Sequence, residues 1–405
     1  MKMNGTTIKS ITAHQVYTNR GNPGVEAIVT TENGAVGRAM CTSGVSVGTH
    51  EIRFQFDGGT KFRGKGVQCA ADRINNEIAP KMIGVDAANQ LEADRVMLSL
   101  APNAKAVFGG NATAAVSAAI LKAGAASLGI PLYRHVGGAN AMYLPVPGVA
   151  MVAGDERYGG GITTPGGKPT MSVMAFGFET FSDASYACWE VHTRWAEKMR
   201  RKFGGLPNIR DFISVPAGIY SCDREIWEDM LATIKEAGYE GKMGFQMDVA
   251  TDTYHNKEDG KYYGLFDKNP KTKEQLYDFY MQIIKDYPFV IIEDPFNEDD
   301  YDTTAALTKE CGIQIVGDDL FTTNPERVAT ISEALQMIQY AYKFGYAVMP
   351  SDSRGEGDSI ADYAVGINAG SIRESAIGPR GNRFLEIEKE LGSNAKFIGA
   401  KGLKG

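Results

Sequence analysis

The sequence lacks the features that mark secreted, membrane-bound and nucleic-acid-binding proteins. Its five cysteines are scattered and never in CxxC spacing, which disfavours a disulfide framework and a zinc site. Nowhere do about 18 apolar residues occur together, and no apolar run follows the basic start, so neither a membrane span nor a signal peptide is expected. A formal net charge of -7 leaves no basic face for nucleic acid. We therefore expect a cytoplasmic protein that binds neither nucleic acid nor a membrane.

The length of the chain and its changing periodicity indicate two domains. Its 405 residues leave room for a β/α barrel, which takes roughly 250 residues. Apolar and polar residues alternate between turn signals over 11–51, which predicts a meander of about three strands. The apolar spacing becomes helical over 67–138, and two prolines then make 144–147 a stiff connector. We predict an α+β domain over 1–143 and a second domain over 144–405.

In the second domain, amphipathic helices alternate with short apolar runs, from the helix pattern that starts at Phe181 to the run Tyr346–Asp352. Such alternation implies parallel strands with right-handed crossovers, hence a barrel or a doubly wound sheet. Three of the predicted strands end in a carboxylate. A barrel gathers the C-terminal ends of different strands around one site, whereas an open sheet spreads them out, so the barrel is favoured.

The three strand-end acids are Asp248, Glu293 and Asp318. Carboxylates that converge on one point repel each other, and a hard dication removes that conflict. Oxygen-only ligands suit Mg²⁺ or Mn²⁺. A single acid after a strand more often solvates the strand end or caps the next helix, but three in successive units weaken that interpretation. Five nearby acids are interpreted as helix-starting or surface charges: Asp294, Glu298, Asp299, Asp300 and Asp319.

A series of motifs in the right order makes the chain resemble the enolase superfamily over nearly its whole length. The motifs include NRGNPGVE, SGVSVGTHE, LPVP, MDVATDTY, IEDPFNEDD, QIVGDDLFTTNPER and IADYAVGINAG. The resemblance implies an N-terminal capping domain followed by a β/α barrel, and a homodimer. It implies that Asp248, Glu293 and Asp318 are the metal ligands. It also implies that Ser46 belongs to a loop that closes over the substrate phosphate, with Gly44 and Gly48 suiting a loop that moves.

Several positions depart from the family pattern, and they concern the chemistry. Phe212 stands where the family has a catalytic glutamate, and Arg157 where it has a histidine. Thr170 replaces a substrate-binding glutamate. In the segment Ser351-Asp352-Ser353-Arg354, Asp352 replaces a histidine, and Arg354 is a shifted arginine that remains a candidate for substrate binding. Arg373 occupies the position of a substrate-binding lysine, where it could hold a carboxylate or phosphate as a bidentate fork.

The strand that carries the general-base lysine of the family is absent, because the chain passes from NPERV directly to a helical pattern at Ala329. Either the seventh barrel unit is missing from the given sequence or the barrel lacks it. Closing a barrel without one strand would change its tilt and shear and expose an edge, so omission is favoured, with a break expected between Val328 and Ala329. If the barrel instead lacks the unit, the base must come from elsewhere, and Lys168 is the only nearby lysine. The candidates for catalytic residues are therefore Arg157 and Lys168.

Four functions remain open from the sequence. The first is a metal-dependent lyase that dehydrates a phosphorylated or phosphonylated 2-substituted hydroxy acid through an enolate, as a relative that makes carboxyphosphonoenolpyruvate does in phosphonate biosynthesis. The second is ordinary 2-phosphoglycerate dehydration, which Phe212 and Arg157 disfavour. The third is a non-catalytic binding relative, which the three retained carboxylates disfavour. The fourth is an ammonia-lyase of the methylaspartate type, for which the six residues AGDERY are too short a match.

Overall fold

The computed structural model describes residues 5–18, 21–44, 51–154, 156–159, 168–204, 212–318 and 328–403. Fourteen strands lie in these segments: β1 Ile8–Tyr17, β2 Pro23–Thr31, β3 Val36–Cys41, β4 Tyr143–Leu144, β5 Val146–Ala153, β6 Thr170–Ala175, β7 Ile213–Ser214, β8 Met243–Asp248, β9 His255–Asn256, β10 Lys261–Tyr262, β11 Phe289–Glu293, β12 Gln314–Val316, β13 Ser371–Ile372 and β14 Lys396–Phe397.

The same segments contain thirteen α-helices. In chain order they are α1 Gln68–Arg73, α2 Ala79–Met82, α3 Gln90–Leu98, α4 Ala104–Phe108, α5 Gly110–Leu128, α6 Leu132–Gly137, α7 Phe181–Phe203, α8 Asp223–Glu236, α9 Lys273–Asp286, α10 Tyr301–Glu310, α11 Ile331–Lys343, α12 Ser359–Gly366 and α13 Gly378–Leu391.

The chain divides into two compact units. The first unit comprises the described residues of Met1–Ala141, Thr322–Tyr346 and Asp352–Ile367. The second unit comprises those of Met142–Phe321, Ala347–Ser351 and Asn368–Gly405. The sequence-based boundary between residues 143 and 144 stays a prediction. The first break between the units follows Ala141 instead, and two later segments join the first unit.

The first unit is built on the predicted meander, an antiparallel sheet in the order β1-β2-β3. Helix α5 packs on this sheet, and its many small side chains allow a close approach. A Cβ atom added at Gly37 in β3 would lie 2.1 Å from the carbonyl oxygen of Ala119 in α5, so only glycine fits there. Alternating residues of β2, such as Val25, Ala27 and Val29, are buried in the core of the unit.

Helix α11 belongs to the first unit, although the sequence pattern assigns it to the barrel. Asp94 of α3 is buried, and its Oδ2 accepts hydrogen bonds from the backbone N–H and the hydroxyl of Ser332, at 3.0 and 2.7 Å. Lys105 pairs with Glu333 at 2.5 Å. The two partners in each contact lie more than 200 positions apart in the chain, so no local sequence pattern predicts these contacts.

The second unit contains a mixed sheet in the order β12-β11-β8-β6-β5-β13, with β7 also paired to β5. Strand β6 is antiparallel to both of its neighbours, and the other ladders are parallel. Helices α7 to α10 connect the strands of this sheet. Thr180 caps α7, and Thr272 with Gln275 forms a capping box at the start of α9. A core that includes Trp195 and Trp227 lies between the sheet and these helices.

The prediction that the apolar run Tyr346–Asp352 forms a strand is wrong, because 346–350 form no ladder with any described residue. A strand exists only where a neighbour takes up its backbone groups, and β12 and β13, the two ends of the sheet order, are not paired with each other or with this segment. Instead, the Pro350 carbonyl accepts one hydrogen bond from the backbone N–H of Arg373 at 3.2 Å. The expected break between Val328 and Ala329 stays a prediction.

No single helix in the described part of the chain is long and apolar enough to cross a membrane. One bent pair, Gly110–Leu128 with Leu132–Asn140, passes by length and composition alone, with a bend of 98° between the two helices. Most residues of the first helix of this pair are buried in the first unit, as in the core helix of a folded domain.

Candidate metal centre

The candidate site lies at the C-terminal ends of adjacent strands in the second unit. Asp248 is the last residue of β8 and Glu293 is the last residue of β11, and the parallel register places them directly beside each other. On the other side of β8, Thr170 at the start of β6 is the partner of Asp248. All three residues are buried. The structure therefore brings together two of the three predicted metal ligands.

The third carboxylate of this group is Asp294, which the sequence analysis interpreted as a helix-starting or surface charge. Ligand oxygens of Asp248, Glu293 and Asp294 all lie within 4.8 Å of one another. In a regular strand the side chain after Glu293 would point to the opposite face. Asp294 instead has a φ of 45°, which ends the alternation. The sequence does not indicate this change of direction, because an aspartate can adopt either a regular strand conformation or a positive φ.

Asp318 lies beside this group but is not one of its three carboxylates. Its backbone N–H donates a hydrogen bond to Asp294 Oδ1 at 2.9 Å. Its negative charge is close enough to raise the pKa of Glu293. The assignment of Asp318 as a metal ligand therefore stays a prediction, with Asp294 as its competitor.

Two cationic side chains contact the carboxylates. Arg373 follows β13, and its Nη1 lies 2.6 Å from Asp248 Oδ2 and 3.2 Å from Glu293 Oε1. Arg373 Nη2 donates a hydrogen bond to Thr170 Oγ1 at 2.9 Å. Lys168 Nζ also contacts Asp248 Oδ2. The structure thus places Lys168 and Arg373 on the same carboxylate oxygen.

Burial and charge push the pKa values of the two central carboxyls in opposite directions. Burial raises the pKa of Glu293 to about 8, with Arg373 opposing this and the charges of Asp248 and Asp318 adding to it. Burial also works to raise the pKa of Asp248, but the charges of Lys168 and Arg373 outweigh it and hold that pKa below its usual range. Asp248 therefore ionises more readily than its neighbour Glu293.

Polar residues continue from this site into the interior of the sheet. Gln246, two residues before Asp248 on the same face of β8, donates from Nε2 to Glu293 Oε2 at 3.1 Å. Its Oε1 is buried with no hydrogen-bond partner among the described residues. Ser172, the neighbour of Gln246 in β6, donates to Glu374 Oε1 at 3.4 Å. Neither Gln246 nor Glu374 was predicted from the sequence to belong to the site.

Arg157 makes its described contacts elsewhere in the second unit. Its Nη2 lies 3.1 Å from Asp223 Oδ1, and its Nη1 donates to the Ala153 carbonyl at 3.0 Å. The Tyr158 hydroxyl donates to the same Asp223 oxygen at 2.8 Å. Arg157, Tyr158 and Asp223 are buried. The candidate catalytic role of Arg157 stays a prediction, and its geometry is that of a buried ion pair.

The remaining predicted site residues fall outside this cluster or outside the described residues. Asp352 and Arg354 belong to the first unit, where Arg354 forms a bidentate pair with Glu51 at 2.6 and 2.7 Å. Asp352 Oδ1 accepts the backbone N–H of Gly357 at 3.1 Å. Phe212 directly precedes β7. The positions that lie outside the described residues are Ser46, Gly48 and Asp319.

Comparison with known proteins decides the family. The family description "Enolase, N-terminal domain" matches residues 8–136, and "Enolase, C-terminal TIM barrel domain" matches residues 141–405. The chain belongs to the enolase family. The resemblance predicted from the motifs is thereby confirmed, as is the fold class of a capping domain followed by a β/α barrel.

Enolases from distant organisms match this chain at nearly full length. The enolase of Methanococcus aeolicus is 36% identical over 419 residues, covering 96% of each chain. The enolase of Bifidobacterium animalis subsp. lactis is 38% identical over 436 residues, covering 98% of each chain. The enolase of Solanum lycopersicum is 34% identical over 440 residues, covering 97% of this chain and 98% of the relative. The prediction of an enolase-type lyase is confirmed. These alignments are longer than the 405 residues of this chain, so the relatives carry internal segments that it lacks.

The donor set fits the divalent metal that the enolase family implies. Three buried carboxylates offer oxygen ligands within a sphere small enough for one ion, and their charges already draw Lys168 and Arg373 onto Asp248. Oxygen-only ligation of this kind suits a hard dication. A site for a divalent cation is therefore supported by the structure as well as by the family.

Proposed function

We propose that this chain is a Mg²⁺-dependent lyase that dehydrates a small phosphorylated or phosphonylated 2-substituted hydroxy acid through an enolate to an enolpyruvate-type product. The observation that carries the proposal is the buried carboxylate cluster flanked by Arg373 and Lys168. Anionic ligands and cationic side chains at one place suit a substrate that is itself anionic. Mn²⁺ is an alternative metal, because its ligand preferences are similar.

In this proposal the metal ligands are Asp248, Glu293 and Asp318, with Asp294 as the competitor for the third position. The bound metal would supply positive charge for the substrate carboxylate as its α-proton is removed. Arg373 adds a fixed positive charge beside the carboxylates, because its Nη1, Nη2 and Nε are held by Asp248, Thr170 and Glu374. Thr170 Oγ1 holds one edge of the guanidinium and so orients it. Gln246 fixes Glu293 through its amide.

The substrate is expected to differ from that of ordinary enolases because the residues at two positions of the family's acid–base pattern differ. Phe212 offers no acid where the family pattern has a glutamate, and Arg157 is engaged by Asp223. Removal of a positioned acid or base costs about 10²–10⁴ in rate. We expect turnover of 2-phosphoglycerate at least roughly a thousandfold below that of a typical enolase. A phosphonate substrate, glycerate with a carboxyphosphono group on O2, is expected to be dehydrated faster.

Ultraviolet absorbance of the enol product measures both reactions with Mg²⁺ present. E293Q is the matched inactive control, since the amide keeps the shape of the side chain and removes its charge. Normal turnover of 2-phosphoglycerate would contradict the proposal and assign the second candidate, ordinary 2-phosphoglycerate dehydration. That candidate is favoured by relatives named enolase at 34–38% identity over nearly the whole chain.

The assembly and location follow from the family resemblance alone. We propose a homodimer in the cytoplasm. All five cysteines are free, which suits a reducing compartment. Light scattering of the purified protein measures the assembly, and a monomer at assay concentration would contradict the dimer.

A further inference from the structure

Glu374 is a further acidic group at the candidate site. It contacts Arg373 through a different guanidinium nitrogen from the one that contacts Asp248 and Glu293. Arg373 Nε lies 2.6 Å from Glu374 Oε1, while Nη1 of the same guanidinium contacts Asp248 and Glu293. One rigid fork therefore fixes Glu374 relative to the carboxylate cluster. The planar guanidinium gives this link a defined geometry.

Described residues engage only one of the two carboxylate oxygens of Glu374. Oε1 accepts hydrogen bonds from Arg373 and Ser172. Oε2 accepts none from any residue in the described ranges, and the side chain keeps 16% exposure beside an otherwise buried cluster. Oε2 is therefore an available proton acceptor beside Arg373.

The backbone at Glu374 adds a second, independent observation. Its φ is 47°, in the left-handed region, where a glycine or asparagine is accommodated at lower cost. Sparsely populated backbone conformations in other residues persist where the surrounding structure holds them, and they concentrate at functional sites. The left-handed turn directs Glu374 away from the direction that regular strand alternation after β13 would give it.

Lys168 is the competing base, and its surroundings disfavour it. Its ammonium group contacts Asp248 directly. That contact engages Lys168 with a proposed metal ligand, whereas Oε2 of Glu374 accepts no hydrogen bond from any described residue.

We propose that Glu374 is the general base that removes the α-proton of the substrate. The C–H bond breaks, its electron pair stays on the substrate as the enolate, and the proton forms an O–H bond at Glu374 Oε2. The β-hydroxyl then leaves as water with a proton from solvent, and Glu374 returns its proton to solvent. This inference rests on the proposed lyase function and names the residue that would perform its first step.

The test is α-proton exchange in D₂O, followed by NMR on 2-phosphoglycerate and on its O2-carboxyphosphono counterpart with Mg²⁺ present. E374Q keeps an oxygen acceptor for Arg373 Nε but loses the base. We expect exchange and turnover to fall about 10²–10⁴-fold, with substrate affinity by calorimetry unchanged. E374D should retain part of the exchange. E386Q, the same change at an exposed glutamate of α13, is the matched control and should behave as wild type.

Two results would overturn the assignment of Glu374 while leaving the lyase function intact. The first is wild-type exchange in E374Q together with its loss in K168M, which would make Lys168 the base. The second is weakened substrate binding in E374Q at unchanged kcat, which would make Glu374 a positioning residue for Arg373. Absence of both exchange and turnover in the wild-type protein on both substrates would instead reject the proposed function, and the inference with it.

Discussion

Replacing Arg157 by methionine should destabilise the second unit strongly, because it leaves Asp223 buried without its counter-charge. The side chains of Arg157 and Asp223 are 2% and 0% exposed and lie 3.1 Å apart. Tyr158 donates a second hydrogen bond to the same Asp223 oxygen, and Oδ2 has no partner among the described residues. Removal of one member of a buried pair costs about 3–5 kcal/mol. We expect R157M to lose about that much unfolding free energy.

A double variant separates the cost of the unpaired charge from the cost of lost packing. In R157M/D223L both charges are gone, so the double variant should be more stable than R157M alone. Recovery will be incomplete, because the Tyr158 hydroxyl then loses its acceptor, at about 1–3 kcal/mol. Urea unfolding followed by tryptophan fluorescence measures these differences, since Trp195 and Trp227 are buried in this unit.

The loss of unfolding free energy in R157M should also depend on pH, and the direction follows from the pKa of Asp223. Burial raises the pKa of Asp223, while Arg157 and Tyr158 oppose that rise. Loss of the guanidinium therefore raises the pKa of Asp223 further. A carboxyl whose pKa is raised on folding contributes stability below its unfolded pKa and loses it as the pH rises through the folded pKa. The destabilisation should be largest at neutral pH and shrink on acidification.

A stability of R157M within about 1 kcal/mol of wild type, independent of pH, would refute this reasoning, because the buried carboxylate would then not depend on Arg157. Loss of lyase activity without loss of stability would favour the catalytic role predicted from the sequence. The matched control is R224M, on the surface of α8. Arg224 pairs with Asp286 at 2.8 Å with both side chains about one-third exposed. Exposed pairs contribute roughly 0–1 kcal/mol, so R224M should change little.

The remaining predictions concern the metal and the length of the chain. E293Q should weaken Mg²⁺ binding severely in calorimetric titration, because an amide carries no charge for a hard dication, and unchanged affinity would contradict the site. Comparison of D294N with D318N in the same titration identifies the third ligand as the residue whose change costs more affinity. Intact-mass measurement of the protein from its natural source tests the missing barrel unit: a mass near 43.8 kDa would reject omission, and a larger mass would support it.

The strand-helix pattern was sufficient to predict that two strand-end carboxylates of the candidate site lie side by side. Asp248 and Glu293 each close an apolar run, and the rule that parallel strands direct their C-terminal ends to one edge places them together. The antiparallel meander was predictable for a similar reason, since its alternation and turns are local. These features depend on short stretches of sequence whose physical requirements are visible in the residue types.

Features that depend on backbone direction or on distant partners could not be predicted. Asp294 and Glu374 at the site both have a left-handed backbone conformation. An acidic residue type does not indicate a positive φ, so the sequence does not predict this conformation. Arg157 and Asp223 are 66 residues apart, so their pairing gives no local pattern. The membership of α11 in the first unit rests on Asp94, which lies 238 residues before Ser332.

The left-handed residues at the strand ends also limit how this protein can be engineered. Ala250, Asp294 and Glu374 follow β8, β11 and β13, each with a φ between 43° and 47°. Each position carries a backbone cost that glycine would relieve. A thermostabilisation programme guided by backbone energy alone would choose Asp294→Gly and Glu374→Gly among its first substitutions. Under the proposals made for these residues, the resulting protein would resist heat better while losing the acids that serve its chemistry.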